Sequence, residues 1–246
     1  MTSHRGAHPE DENQFAASQL PTLRAAVQDL AWLRTRGYGD SSSTKIVGDR
    51  YRLRRRQRDA VARSACSDAE RAHRLVRRLG PTALEGRRVD IDGFNVLISV
   101  EGLLGGAFLF VGRDCAYRDV DPVQGTYRVV AETAPAIRAI RSTVTELRIP
   151  GVTWWLDAQV SNVGRLKTQL LNLSPTALDW EVRIHETVDD VLVDRNHVVA
   201  TSDSAVLDRV GAWCALEQEV ISHMNTEPNV RDLRPTSDRD FLTPGA

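Results

Sequence analysis

Aspartates recur at the ends of apolar runs in this chain. "RRVDIDGFNVLISV", residues 87 to 100, carries Asp90 and Asp92 before it breaks at Gly93. "VTWWLD" ends at Asp157, and "HVVATSD" ends at Asp203. Asp189 and Asp190 follow the alternating run "DWEVRIHE" and open "DDVLV". In open parallel sheets, sites form beyond the carboxyl ends of the strands. Strands of that kind would bring these acids to one rim. Carboxylates crowded together raise one another's pKa unless a cation neutralises them. A hard divalent ion takes oxygen ligands, and magnesium keeps waters for substrate phosphates. The pattern therefore points to a metal site for phosphodiester chemistry. Taken singly, any of these acids reads as a strand-end or helix-cap residue.

The elements that must position the acids follow from periodicity. After a linker punctuated by Gly80, Pro81 and Gly86, strand and helix patterns alternate. "RVDID", "VTWWLD", "DWEVRIHE" and "HVVATSD" read as strands. "TAPAIRAIRSTVTELRIPG" reads as a helix with Thr133 as N-cap and Ile137, Ile140, Val144 and Leu147 on one face. "GRLKTQLLNL", "DDVLV" and "SAVLDRVGAW" supply further helices. "FLFVGRDCAYRDV" reads as a hairpin turning at Gly112, Arg113 and Asp114. The expectation is an α/β fold: a doubly wound, mostly parallel sheet with helices on both faces.

Before the linker the pattern is helical. "LPTLRAAVQDLAWLRTRGYG" spaces Leu23, Val27, Leu30 and Leu33 as a helix does, with Gly37 as its stop. "STKIVGDRYRLRRRQRDAVARS" and "DAERAHRLVRRLG" read as further helices. The expected organisation is a disordered tail over 1–18, a helical arginine-rich region over 19–80, the α/β domain over 85–222 and a loose tail over 223–246.

Composition bounds the function class. The chain has 246 residues, a net charge of -1 and three cysteines far apart. That argues against a disulfide framework or structural zinc and fits a cytoplasmic protein. No apolar run approaches the roughly 20 residues needed to span a bilayer, so no membrane is expected as a partner. Charge is segregated: residues 50 to 63 hold seven arginines and one acid. Arg52, Arg54, Arg55, Arg56 and Arg58, with Tyr51 among them, read either as a nucleic-acid surface or as a solvated helix face. Trp154 and Trp155 read as core, since adjacent strand positions face opposite packed sides. Motifs for dinucleotide binding, a P-loop, a serine hydrolase or a zinc protease are not found.

"VDIDGFNVLISVEGLLGG", "WWLDAQVSNVGRLK", "ETVDDVLV" and "VVATSDSAVLD" together resemble a little-characterised family of prokaryotic proteins of unknown function. Its C-terminal region looks like a PIN-like nuclease domain of the NYN type, and the resemblance covers about residues 85 to 220. The arginine-rich helical N-terminal region is also similar to that family. PIN and NYN domains are mostly magnesium- or manganese-dependent ribonucleases, so the resemblance implies a hydrolase that cuts RNA, with Mg2+ or Mn2+ as cofactor. It implies Asp92, Asp189 and Asp203 as metal ligands and Asp157 as a fourth catalytic acid. Asn95 would orient Asp92 or touch a phosphate, and Thr201 and Ser202 would bond a phosphate or water. Glu101 is a further acid of uncertain place, and Asp190 competes with Asp189. Arg165, on the loop and helix after Asp157, would meet a phosphate.

Two alternatives stand beside the ribonuclease. "DIDG" resembles the nucleophile motif of haloacid-dehalogenase-like phosphatases, which would use Asp90 and Asp92. A non-catalytic RNA-binding module on the same fold is the other. Whether DNA replaces RNA, and whether the chain forms a homodimer or meets a regulatory protein, stays open.

Overall fold

The computed structural model describes residues 3–120, 125–176, 178–224 and 227–239. In chain order the elements are helices α1 (Asp11–Gln14), α2 (Leu20–Thr35), α3 (Asp40–Arg50), α4 (Arg55–Ser64) and α5 (Asp68–Arg77), then strand β1 (Val89–Asp92) and α6 (Gly93–Leu104). A hairpin of β2 (Leu109–Val111) and β3 (Tyr117–Arg118) precedes α7 (Thr133–Glu146), β4 (Gly151–Asp157), α8 (Val163–Asn172) and β5 (Asp179–His185). Next come α9 (Val188–Asp194), β6 (Val198–Ala200), α10 (Ser204–Leu207), β7 (Trp213–Cys214) and α11 (Leu216–Ser222). Strand β8 (Val230–Asp232) and α12 (Thr236–Arg239) close the described chain.

The chain divides into two compact units. The first comprises residues 1–6, 77–107 and 121–228, and holds the five-stranded sheet. Its strand order is β5-β4-β1-β6-β7, and every neighbouring pair is parallel. From β1 the chain steps outward to β4 and β5. It then crosses back to β6 on the other side of β1 and continues to β7. The order therefore reverses between β1 and β6. Right-handed crossovers put α6, α7 and α8 on one face and α9 and α10 on the other. The mixed α/β expectation with a parallel sheet is met.

Side-chain alternation assigns the faces. Val89 and Ile91 of β1 join Val152, Trp154 and Leu156 of β4 in a core shared with Ile137 and Ile140 of α7 and Leu166 and Leu170 of α8. Trp154 and Trp180 meet within it at 5.5 Å. Asp90, Asp92, Thr153, Trp155 and Asp157 point the other way, toward α9, which packs on β1 and β4. The edge strand β5 buries Trp180 and Val182 and exposes Arg183 and His185.

The second unit comprises residues 7–76, 108–120 and 229–246. Helices α2, α3 and α4 contribute to a core that holds Leu23, Val27, Leu30, Val47, Val61, Phe108, Phe110 and Leu233. A three-stranded sheet of order β3-β2-β8 belongs to it. Several expectations change here. The tail over 1–18 is ordered where it is described: Phe15 is fully buried against Phe108 and Phe110, with ring centroids 5.7 and 4.6 Å away. Asp11 is buried and takes two hydrogen bonds from Arg56, at 2.7 and 2.9 Å. One aromatic anchor and one buried ion pair can order a segment that lacks periodicity. The hairpin forms as expected, but it clusters with the helical region because Phe108, Phe110 and Val120 complete that core. Part of the expected loose tail is β8, paired in parallel with β2. Residues 225, 226 and 240–246 of that tail lie outside the described residues. The single helix expected through the arginine run splits into α3 and α4, because Arg52 takes φ 51 and Leu53 turns inward.

Candidate active site at the carboxyl edge of the sheet

Asp92 is the last residue of β1, the central strand, at the point where strand order reverses. Ligands of open α/β sheets bind at such a point. Gly93 follows because nothing larger fits. A Cβ there would lie 2.7 Å from the Trp155 carbonyl oxygen and 2.5 Å from Leu156 Cδ2. The close approach lets α6 start directly from the strand.

Three other segments bring acids to the same edge. Asp157 closes β4, and its Oδ1 accepts from Gln159 N at 2.7 Å. Asp189 sits in the first turn of α9. Asp203 follows β6 and caps α10, its Oδ1 accepting from Ala205 N at 2.7 Å and Val206 N at 3.3 Å. Burial, together with the charges of Asp203 and Asp189, pushes the Asp92 carboxyl up to about 7 against hydrogen bonds from Thr201 and the Asn95 backbone N–H. Burial raises Asp189 as well, and Asp203, Asp190 and Asp157 add to that rise. No arginine or lysine pairs with Asp92, Asp157, Asp189 or Asp203 in the described structure, though Arg209 lowers the pKa of Asp189.

The neighbouring polar groups are committed to holding this arrangement. Thr201 Oγ1 donates to Asp92 Oδ2 at 2.8 Å and accepts from Asp203 N at 3.1 Å. Asn95 Oδ1 accepts from Ser202 N at 2.8 Å and Ser202 Oγ at 2.9 Å. Asn95, Thr201 and Ser202 therefore tie the β6 loop to β1 and α6, where the sequence offered them as phosphate contacts. Asp190 pairs with Arg209 at 2.9 Å, which leaves Asp189 as the acid bearing on Asp92.

Glu101 is elsewhere. It lies about 13 Å down the axis of α6 from Asp92. It is fully buried, with Thr133 Oγ1 at 2.5 Å, Arg5 Nε at 2.8 Å and the Tyr127 hydroxyl as donors. Asp90 is buried two residues before Asp92 on the same sheet face. Its oxygens accept from Trp155 Nε1 at 3.2 Å and Arg195 Nε at 2.9 Å, and His197 Nδ1 stands 3.0 Å away. A carboxylate so occupied is not a free nucleophile, which removes the geometry that the phosphatase alternative needs. Arg195 and His197 had no signal in the sequence, because each lies in a short loop between α9 and β6 with no motif around it.

The arginine run belongs to the second unit. Arg54 pairs with Glu10 at 3.4 Å, Arg56 with Asp11, and Arg58 with Asp49 at 2.8 Å. Arg52 and Arg55 are exposed and have no partner in the described structure. Arg165 is exposed in the first turn of α8.

The acids suit a hard cation in donor type and in charge. Among the described residues, no group of three or more His, Cys, Asp or Glu side chains stands ready to hold a metal ion. The fit is to the chemistry of the ion, without a finished coordination sphere. No helix among the described residues is long and apolar enough to cross a membrane.

Comparison with known proteins agrees on kinship and is silent on activity. The chain is 31% identical over 189 residues to an uncharacterised protein, MJ0935, of Methanocaldococcus jannaschii, covering 76% of this chain and 89% of that one. Residues 22–77 match a family described as a protein of unknown function, DUF434. No solved structure matches the chain. Residues 81–219, more than half the chain and all of the acid rim, match a family model, and the chain belongs to that family, a domain of unknown function, DUF5616.

Proposed function

We propose that the first unit is a PIN-like, metal-dependent phosphodiester hydrolase that cleaves RNA. The observation that carries this reading is the convergence of Asp92, Asp157, Asp189 and Asp203 at the switch point of a parallel sheet, with no cation paired to any of them among the described residues. Asp92, Asp189 and Asp203 would hold magnesium or manganese, with Asp157 beside them. The ion would supply Lewis acidity toward a phosphate oxygen and toward the attacking water. The chain itself supplies position. Thr201 fixes one oxygen of Asp92, and Asp203 is fixed by the start of α10, so both carboxylates are held before substrate arrives. A preorganised set of this kind avoids reorganisation during reaction. With its carboxyl near 7, Asp92 exchanges a proton readily at neutral pH when no cation is bound.

The test is cleavage of a labelled single-stranded RNA in magnesium or manganese, with EDTA as control. Wild type should cut, and Asp92→Asn and Asp203→Asn should each be slower by at least about 100-fold, the scale of removing one electrostatic stabiliser of a transition state. A second reading, an RNA-binding module without turnover, is favoured by the lack of a ready metal-ligand group among the described residues. Retention of RNA without cleavage in every metal would select it.

A further inference from the structure

Beyond Asp157 the chain enters a cleft of about 510 Å³, lined by Tyr127, Arg128, Val129, Asn162, Arg165 and Gln169. Its lining segments are laced together. Tyr127 N donates to Ser161 O at 3.4 Å, Ser161 N to Gly125 O at 3.1 Å, and Asn162 Nδ2 to Tyr127 O at 3.1 Å. The lacing holds Arg128 beside Arg165. Both are exposed, and neither guanidinium has an ion pair or hydrogen bond in the described structure. Asn162 directs its amide to Tyr127, so no side chain caps the start of α8. Val129 is 41% exposed and gives the cleft an apolar wall. Gln169 Oε1 is shielded from solvent and has no hydrogen-bond partner.

Two guanidiniums on one cleft select a phosphate, since each presents a planar fork of donors. The volume is that of a small-molecule site and far exceeds a lone inorganic ion. We propose that this cleft binds one nucleotide of the RNA substrate strand outside the scissile position: Arg128 and Arg165 take its phosphate, and Val129 packs on its base or sugar. This rests on the phosphodiester reading of the acid rim, which lies in the same unit and is joined to the cleft through the loop after Asp157.

The experiment measures binding alone, so that catalysis does not enter. A fluorescent single-stranded RNA is titrated in EDTA onto the full chain carrying Asp92→Asn, with and without Arg128→Ala and Arg165→Ala together. The double change should weaken binding about tenfold and lower the slope of log affinity against log salt by about 0.7 for each phosphate no longer neutralised. Unchanged affinity and slope in the arginine variant would overturn the proposal. Full displacement of RNA by millimolar inorganic phosphate would also overturn it, by making the cleft a free-phosphate site. A wild-type chain that never cleaves, yet binds more weakly without the arginines, sinks the hydrolase reading and leaves the cleft standing.

Discussion

Asp114 is buried and Asp92 half-buried, and their carboxyls are driven in opposite directions. Burial alone would raise Asp114, but Arg118 and Arg74 outweigh it and hold that carboxyl well below the usual range. Arg118 donates at 2.8 and 2.7 Å and Arg74 at 2.7 Å, so both oxygens are met by fixed cations. Asp92 has only the neutral donors of Thr201 and the Asn95 backbone against two repelling carboxylates, and it rises to about 7. The second unit closes its buried acid for good, as a structural element does. The first unit leaves its acid short of positive charge, a condition that a ligand can relieve. Perturbed groups of the latter kind gather at functional sites.

Breaking the pair in the second unit should have the largest effect. Asp114→Ala removes the carboxylate that two buried arginines share and should cost about 3–5 kcal/mol, read by urea denaturation. Asp92→Asn should do the reverse. It removes a charge that burial and two neighbouring carboxylates penalise, so it should stabilise the metal-free chain at pH 8 by about 1–3 kcal/mol, a range reduced for the partial exposure of the site. Equal destabilisation by both substitutions would erase the contrast between the two sites.

The same comparison has a pH signature. The unfolded pKa of Asp92 is about 3.9, and the folded value is about 7. Between these limits the folded state binds the extra proton, so stability falls as pH rises from about 4 to about 7 and levels above that. Asp114 has the opposite sign: its contribution is complete above about 4 and is lost as pH falls through its depressed folded value. Thermal melts of metal-free wild type against Asp92→Asn should diverge across the upper window; parallel curves would refute the assignment. Magnesium or manganese should relieve the same penalty. At about 10 times its dissociation constant the ion should add about 1.4 kcal/mol, and Asp92→Asn should remove that gain. The smallest effect is expected from Asp203→Asn. Asparagine caps a helix as well as aspartate does, so stability should change by no more than about 0.5 kcal/mol while cleavage fails. A large drop in stability would mean that Asp203 serves α10 alone.

Sequence alone reached the alternation of strands and helices, the strand-end acids and the opposite-facing Trp154 and Trp155. These depend on local periodicity, which a linear pattern carries directly. It did not reach the membership of the hairpin, the ordered Phe15 segment or β8, since each is held by contacts between residues distant in the chain. Nor could it separate Asp90 from Asp92. They share a strand face and a two-residue spacing, and only the folded chain gives one of them Arg195, His197 and Trp155 while leaving the other at the open edge. Residue type set which groups were able to carry charge at the rim. Tertiary structure decided which charges were cancelled, because cancellation depends on distance and desolvation, and neither is written in the order of residues.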